Sequence, residues 1–151
     1  MKKLLIALAL ATLAAGPAVA SEASAVMAAV NQFINGFNQG DTKMILASSA
    51  FEMAIIDEFP PHMWQGPGAL QKWMDAFDAD AKLNGITDGV VTLAAPRHVD
   101  VTGDRAYAVI PADYVFKQHG KAMKETASTI TLALQKGATG WKITGWAWAK
   151  N

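Results

Sequence analysis

The sequence predicts an α+β fold, with helices packed on one face of a curved antiparallel sheet. Three observations carry it. Apolar residues in the first half recur at helical spacing, and the second half is a series of runs rich in Val, Ile, Thr and aromatics. Short turn signals separate those runs, which favours antiparallel neighbours and sets helices first and sheet after.

Over Ser24–Asn38, Val26, Ala29, Val30, Phe33 and Phe37 share one helix face. Gly40 suits the stop, and Asp41 can cap a short helix Thr42–Ala47. A second amphipathic helix is expected from Pro67 to about Leu83, with Leu70, Trp73, Met74, Phe77 and Ala81 as its apolar stripe and Asn84-Gly85 as its end. The expected strands are Ile86–Leu93, Arg97–Thr102, Arg105–Lys117, Met123–Gln135 and Trp141–Ala149, the last three forming a meander.

Met1–Ala20 reads as a secretory signal peptide. Lys2 and Lys3 form a basic start, Leu4–Ala15 an apolar run, and Ala18-Val19-Ala20 a small-x-small cleavage site. The apolar run is too short for a bilayer span of about 20 residues. A periplasmic or secreted protein is expected, with no membrane attachment after cleavage. No cysteine occurs, so disulfides, thiol catalysis, Cys-based zinc sites and a lipidated cysteine are excluded. Residues 21–151 suit one domain. Without Lys2 and Lys3, 11 basic residues face 13 acidic ones, a net charge of −2. No basic stripe is present for nucleic acid. The three histidines have no ligand spacing, so no metal is expected, and no cofactor motif is seen.

The stretch Ile55–Gly66, "IIDEFPPHMWQG", carries the candidate chemistry. Asp57 follows an apolar strand-like run. If Ile55, Ile56, Phe59 and Trp64 desolvate it, its pKa rises and it can act as a general base. The alternative is a strand-end acid in water or capping a loop amide. Strand alternation would turn Glu58 to solvent. His62, after Pro60-Pro61, could pair with Asp57 as an acid/base dyad, or be a surface loop residue. His98 is expected on an outer strand face and His119 in a hairpin tip. Tyr114 could orient a polar ligand within an apolar wall, or pack in the core. Alternation puts Trp141 and Ile143 on the helices, and Trp146 and Trp148 on the other face with Lys142 and Thr144, as pocket liners. The candidate ligand-binding set is Trp64, Trp73, Tyr114, Trp146 and Trp148.

This order of elements, with "FNQGD" closing the first helix, "IIDEFPPHMWQG" before the long helix and a late "GWKITGWAW", resembles the nuclear transport factor 2-like superfamily. Ketosteroid isomerase, scytalone dehydratase and the SnoaL-like polyketide cyclases are members. The resemblance implies a cone: a bent sheet wrapped around helices, an apolar pocket inside, and often a homodimer. Asp57, nine residues before Gly66, matches the general-base aspartate of ketosteroid isomerase, and Trp73 and Trp148 match cavity aromatics. Phe33 stands where that enzyme has its oxyanion tyrosine, and its protonated aspartic acid falls near Thr129 or Thr131. Losing such donors argues against steroid isomerisation. The late-strand acid of the cyclases has no match in "ITGWAWAK". Three readings follow: a binder of a small apolar or aromatic ligand, an enzyme of lyase, isomerase or hydrolase type with Asp57 as base, and a non-catalytic dimerisation module.

Overall fold

The computed structural model describes residues 16–151. The expected leader therefore lies outside the described residues as far as residue 15. Helix α1 (Gly16–Gln39) starts earlier than the expected Ser24. Its Val26, Ala29, Val30 and Phe33 are buried as their spacing requires. Gly40, at φ 65°, ends the run, and the Asp41 carboxylate accepts from Met44 N to start α2 (Thr42–Ala47). At Gly36 an added Cβ would lie 2.9 Å from Ile45, so only glycine lets α1 and α2 approach this closely.

Two short strands follow, β1 (Ser49–Ile56) and β2 (Met63–Pro67), paired antiparallel. Pro67 ends β2 on the sheet edge, where its missing N–H costs no ladder bond. The long helix α3 (Ala69–Asn84) thus starts two residues later than expected, after Gly68 at φ 69°. Gly85, at φ 61°, stops it.

The remaining strands are β3 (Ile86–Leu93), β4 (His98–Thr102), β5 (Arg105–Gln118), β6 (Lys121–Gly137) and β7 (Gly140–Ala149). The sheet order is β2-β1-β7-β6-β5-β3, with β4 also on β5. Only the β1–β7 pair is parallel. Strands β5, β6 and β7 form the expected meander. Helices on the inner face of this curved sheet make an α+β cone.

Bulges in β3, β6 and β7 bend the sheet and reset which side chains face inward, and β1 also shifts register against β7 between Ser49 and Ala54. In β3, Asp88 (φ 56°) and Gly89 oppose one residue of β5. In β6, Thr126 and Ala127 (φ 59°) oppose Asp113, whose carboxylate accepts from Ala127 N at 3.2 Å. In β7, Ile143 pairs with Leu134 and Gly145 with Ala133, leaving Thr144 as the extra residue. That insertion corrects the alternation argument for the late tryptophans. Trp141 and Ile143 lie on the inner face, and beyond Thr144 the phase flips so that Trp146 and Trp148 face inward too. They pair with Leu132 and Ile130, both buried.

Candidate functional site

The inner face closes around a cavity of about 70 Å³ between the end of α1, the start of α3 and strands β3, β5, β6 and β7. Eight aromatic side chains line it: Phe33, Phe37, Phe59, Trp73, Phe77, Tyr114, Trp146 and Trp148. Trp73 and Trp146 meet edge to face, centroids 5.0 Å apart at 89°. Phe77 packs edge-on to Phe37 at 5.3 Å, and Phe116 stacks behind Tyr114 at 4.8 Å. Such pairs hold the rings in place beyond what burial alone does.

Asp57 enters this wall where β1 ends. Trp73 Nε1 donates to its Oδ2 at 2.9 Å, and Glu58 N donates to its Oδ1 at 2.7 Å. The two sequence readings of Asp57 therefore coexist, since one carboxylate oxygen caps the loop and the residue lines the cavity. Burial pushes its pKa up, opposed by the two hydrogen bonds and helped by the charges of Glu125 and Asp80.

His62 does not complete a dyad. The loop closes tightly, with Asp57 N donating to His62 O at 3.0 Å and His62 N to Phe59 O at 2.9 Å. His62 is held at φ 69°, and its exposed ring lies 3.2 Å from the backbone carbonyl of Asp57, away from the carboxylate. Trp64 is also displaced from the expected set. It is buried against Phe59, centroids 5.1 Å apart, and does not line the cavity.

Glu58 corrects the expectation of a solvent-facing side chain. The strand ends at Ile56, so alternation no longer governs it. Its carboxylate turns back to the cavity rim and pairs with Lys150 Nζ at 2.9 Å. The same ammonium holds Glu125 at 2.5 Å. Glu125 pairs with Tyr114 across the sheet because of the β6 bulge, and its side chain is only 10% exposed. Burial raises the Glu58 pKa, with Lys150 opposing and Glu125 adding to the rise.

Tyr114 is 8% exposed and Trp146 6%. The Tyr114 hydroxyl and the Trp146 indole N–H are both buried without a hydrogen-bond partner among the described residues. Gly89 makes room for that hydroxyl, since an added Cβ would sit 2.5 Å from it. Burial first, then the charges of Glu125, Glu58 and Asp57, pushes the Tyr114 pKa up to about 12. Opposite, Phe33 contributes only a ring, 6.1 Å from Trp146. Thr129 and Thr131 alternate with the inward Ser128, Ile130 and Leu132, and so point out of the cone.

Asn38 was not singled out from sequence. It spans α1 and β3, donating to Val91 O and accepting from Val91 N, each at 2.8 Å. A lone Asn near a helix end carries no signal for this. His98 lies on the outside, 2.7 Å from Asp100, and His119 is in the β5–β6 turn. Among the described residues no cluster of three potential metal ligands occurs, and no helix is long and apolar enough to cross a membrane.

Known structures share this architecture. A nuclear transport factor 2-like superfamily protein from Salmonella enterica superposes with a TM-score of 0.73 at 15% identity, covering 87% of this chain and 92% of that one. A candidate ketosteroid isomerase from Shewanella frigidimarina gives 0.64 at 26% identity, covering 83% and 94%. A candidate dehydratase of the same family from Streptomyces avermitilis gives 0.71 at 16% identity, covering 87% and 98%. No protein-family model and no curated protein matches the sequence. The chain has the nuclear transport factor 2-like fold.

Proposed function

We propose that this protein is exported and binds a small, mostly apolar or aromatic molecule within the cone. One observation carries the reading: two buried polar groups, the Tyr114 hydroxyl and Trp146 Nε1, stand in an aromatic cavity wall with no partner among the described residues. A buried polar group left unpaired costs about 1–3 kcal/mol, so folds rarely keep two together without use. A ligand that bonds to them recovers that cost. A mostly apolar cavity with a few polar groups is the usual form of a small-molecule site.

The test is a thermal-shift screen of small aromatic compounds. A ligand at 100 times its Kd adds about 2.7 kcal/mol to native stability. Shifts that vanish in Tyr114→Phe or Trp146→Phe support the reading, and a screen with no shift in the parent protein contradicts it. Export is tested by expression with the native leader in a Gram-negative host, where a periplasmic product beginning at Ser21 is expected. Intact Met1 in a membrane fraction would overturn export.

A second reading, that Asp57 is the general base of a lyase, isomerase or hydrolase, is favoured by its place in the cavity and its raised pKa. The phenol absent at Phe33 on α1 has a counterpart in Tyr114 on β5. Turnover of a bound ligand, lost in Asp57→Asn, distinguishes it from binding alone. The homodimer is likewise proposed, with exposed Tyr107 and Val115 on the outer face of β5 as the apolar contribution.

A further inference from the structure

The charge and shape of the cavity narrow the ligand class, on the premise that the cavity binds a small molecule at all. Asp57 and Glu58 line it, and Glu125 stands beside Glu58. Lys150 is the one cation at this cluster, and it is already shared by Glu58 and Glu125. Three carboxylates thus meet one ammonium, and no Lys, Arg or His lines the cavity among the described residues. The eight aromatic side chains add to this sign, because an aromatic face carries partial negative charge and attracts cations.

We propose that the ligand is a compact organic cation, a primary arylalkylamine, with its ring among the aromatic side chains and its ammonium held by Asp57 and Glu58. A neutral ligand would leave the Asp57 carboxylate desolvated without a counter-charge, and an anion would be repelled by every charged group on the wall. The Tyr114 hydroxyl keeps its proton near neutral pH, and its oxygen can still accept from an ammonium N–H. Trp146 Nε1 can only donate, so it suits a hydroxyl or ether oxygen on the ligand. Size sets a limit: the enclosed volume of about 70 Å³ is about half of the roughly 150 Å³ that holds a benzene, so the ligand must be compact and reach toward the open rim.

Isothermal titration with three near-isosteric probes tests the assignment: 2-phenylethylamine, 2-phenylethanol and phenylacetate. The amine is expected to bind at least about tenfold more tightly than the alcohol, with phenylacetate weakest. Asp57→Asn should shrink the amine-over-alcohol preference about fivefold or more. Glu58→Gln, at a half-exposed side chain, should shrink it as well and covers the case in which Asp57→Asn fails to fold. Equal or tighter binding of the alcohol would overturn the cation assignment and leave the cavity reading standing. A preference unchanged in both variants would overturn the roles of the two acids. Binding of none of the probes below about 10 mM would overturn the cavity reading itself.

Discussion

The two ends of the cone use the same strands for different ends. Toward the start of α1, strands β5, β6 and β7 contribute Ala106, Ala108, Leu132, Leu134 and Ile143, aliphatic and almost wholly buried. A polar contact closes the rim there, where Glu22 accepts from Trp141 Nε1 at 2.9 Å and pairs with Lys136 at 2.5 Å. Toward the end of α1, past the bulges at Ala127 and Thr144, the same strands present Tyr114, Glu125, Trp146 and Trp148. Here buried polar atoms lack partners and carboxylates are desolvated. The difference teaches where to look for function. One end obeys every local rule of a packed core, and the other breaks several at once, which is expected of a site and not of a scaffold.

Mutations can break or sharpen this contrast. The largest effect is expected at the junction of the two ends. Trp73 is 4% exposed, packs on Trp146 and Phe77, and donates to Asp57. Trp73→Ala should lose about 3–5 kcal/mol in chemical denaturation and abolish ligand response. A denaturation midpoint equal to the parent's would show that the helix face is wrongly placed.

Leu134→Ala, in the aliphatic end and paired with Ile143, should lose about 2–5 kcal/mol while the folded variant keeps its ligand affinity. Loss of affinity with an unchanged midpoint would erase the distinction between the ends. Gly89→Ala should behave oppositely. Its Cβ would meet the Tyr114 hydroxyl at 2.5 Å and Cε2 at 3.0 Å, so the ring must move. A stability loss of about 1–3 kcal/mol is expected, with binding reduced well beyond what Leu134→Ala causes. Parental affinity in this variant would remove Tyr114 from the site.

How much was legible beforehand follows the same division. The helix faces of Val26–Phe37 and Leu70–Phe77 and the β5-β6-β7 meander rest on periodicity, a local property of sequence. So did the link from Asp57 to a mostly apolar surrounding. What escaped lies beyond the bulges. Counting by twos through β7 sent Trp146 to the wrong face, and the same count through β6 gives no hint that Glu125 faces inward. A bulge shifts phase by one residue, and neither Ala127 nor Thr144 announces it by type. His62 failed for a related reason, because a tight turn at positive φ turned its ring outward. The Glu58–Lys150–Glu125 cluster joins residues far apart in the chain, which no spacing argument reaches.

The smallest energetic effect bears most directly on the central claim, that Asp57 is a desolvated carboxylate in the cavity wall. A folded pKa above the unfolded value of 3.8 means that ionisation costs native stability as pH rises from there to the folded pKa. Asp57→Asn removes this cost, although an amide oxygen cannot replace both acceptors that now serve Trp73 and Glu58. The diagnostic is therefore the pH dependence of the difference, and the variant should gain on the parent between pH 4 and pH 7. The groups acting on Asp57 from its surroundings are the Trp73 indole and Asp80 on α3, the neighbouring Glu58 amide and Glu125 on β6. The direct measurement is a carbon-detected NMR titration of the Asp57 carboxyl in the folded protein. The account predicts a midpoint above 3.8, lowered by 2-phenylethylamine. A midpoint at or below 3.8, unmoved by any ligand, would make Asp57 a solvated loop cap and contradict the account.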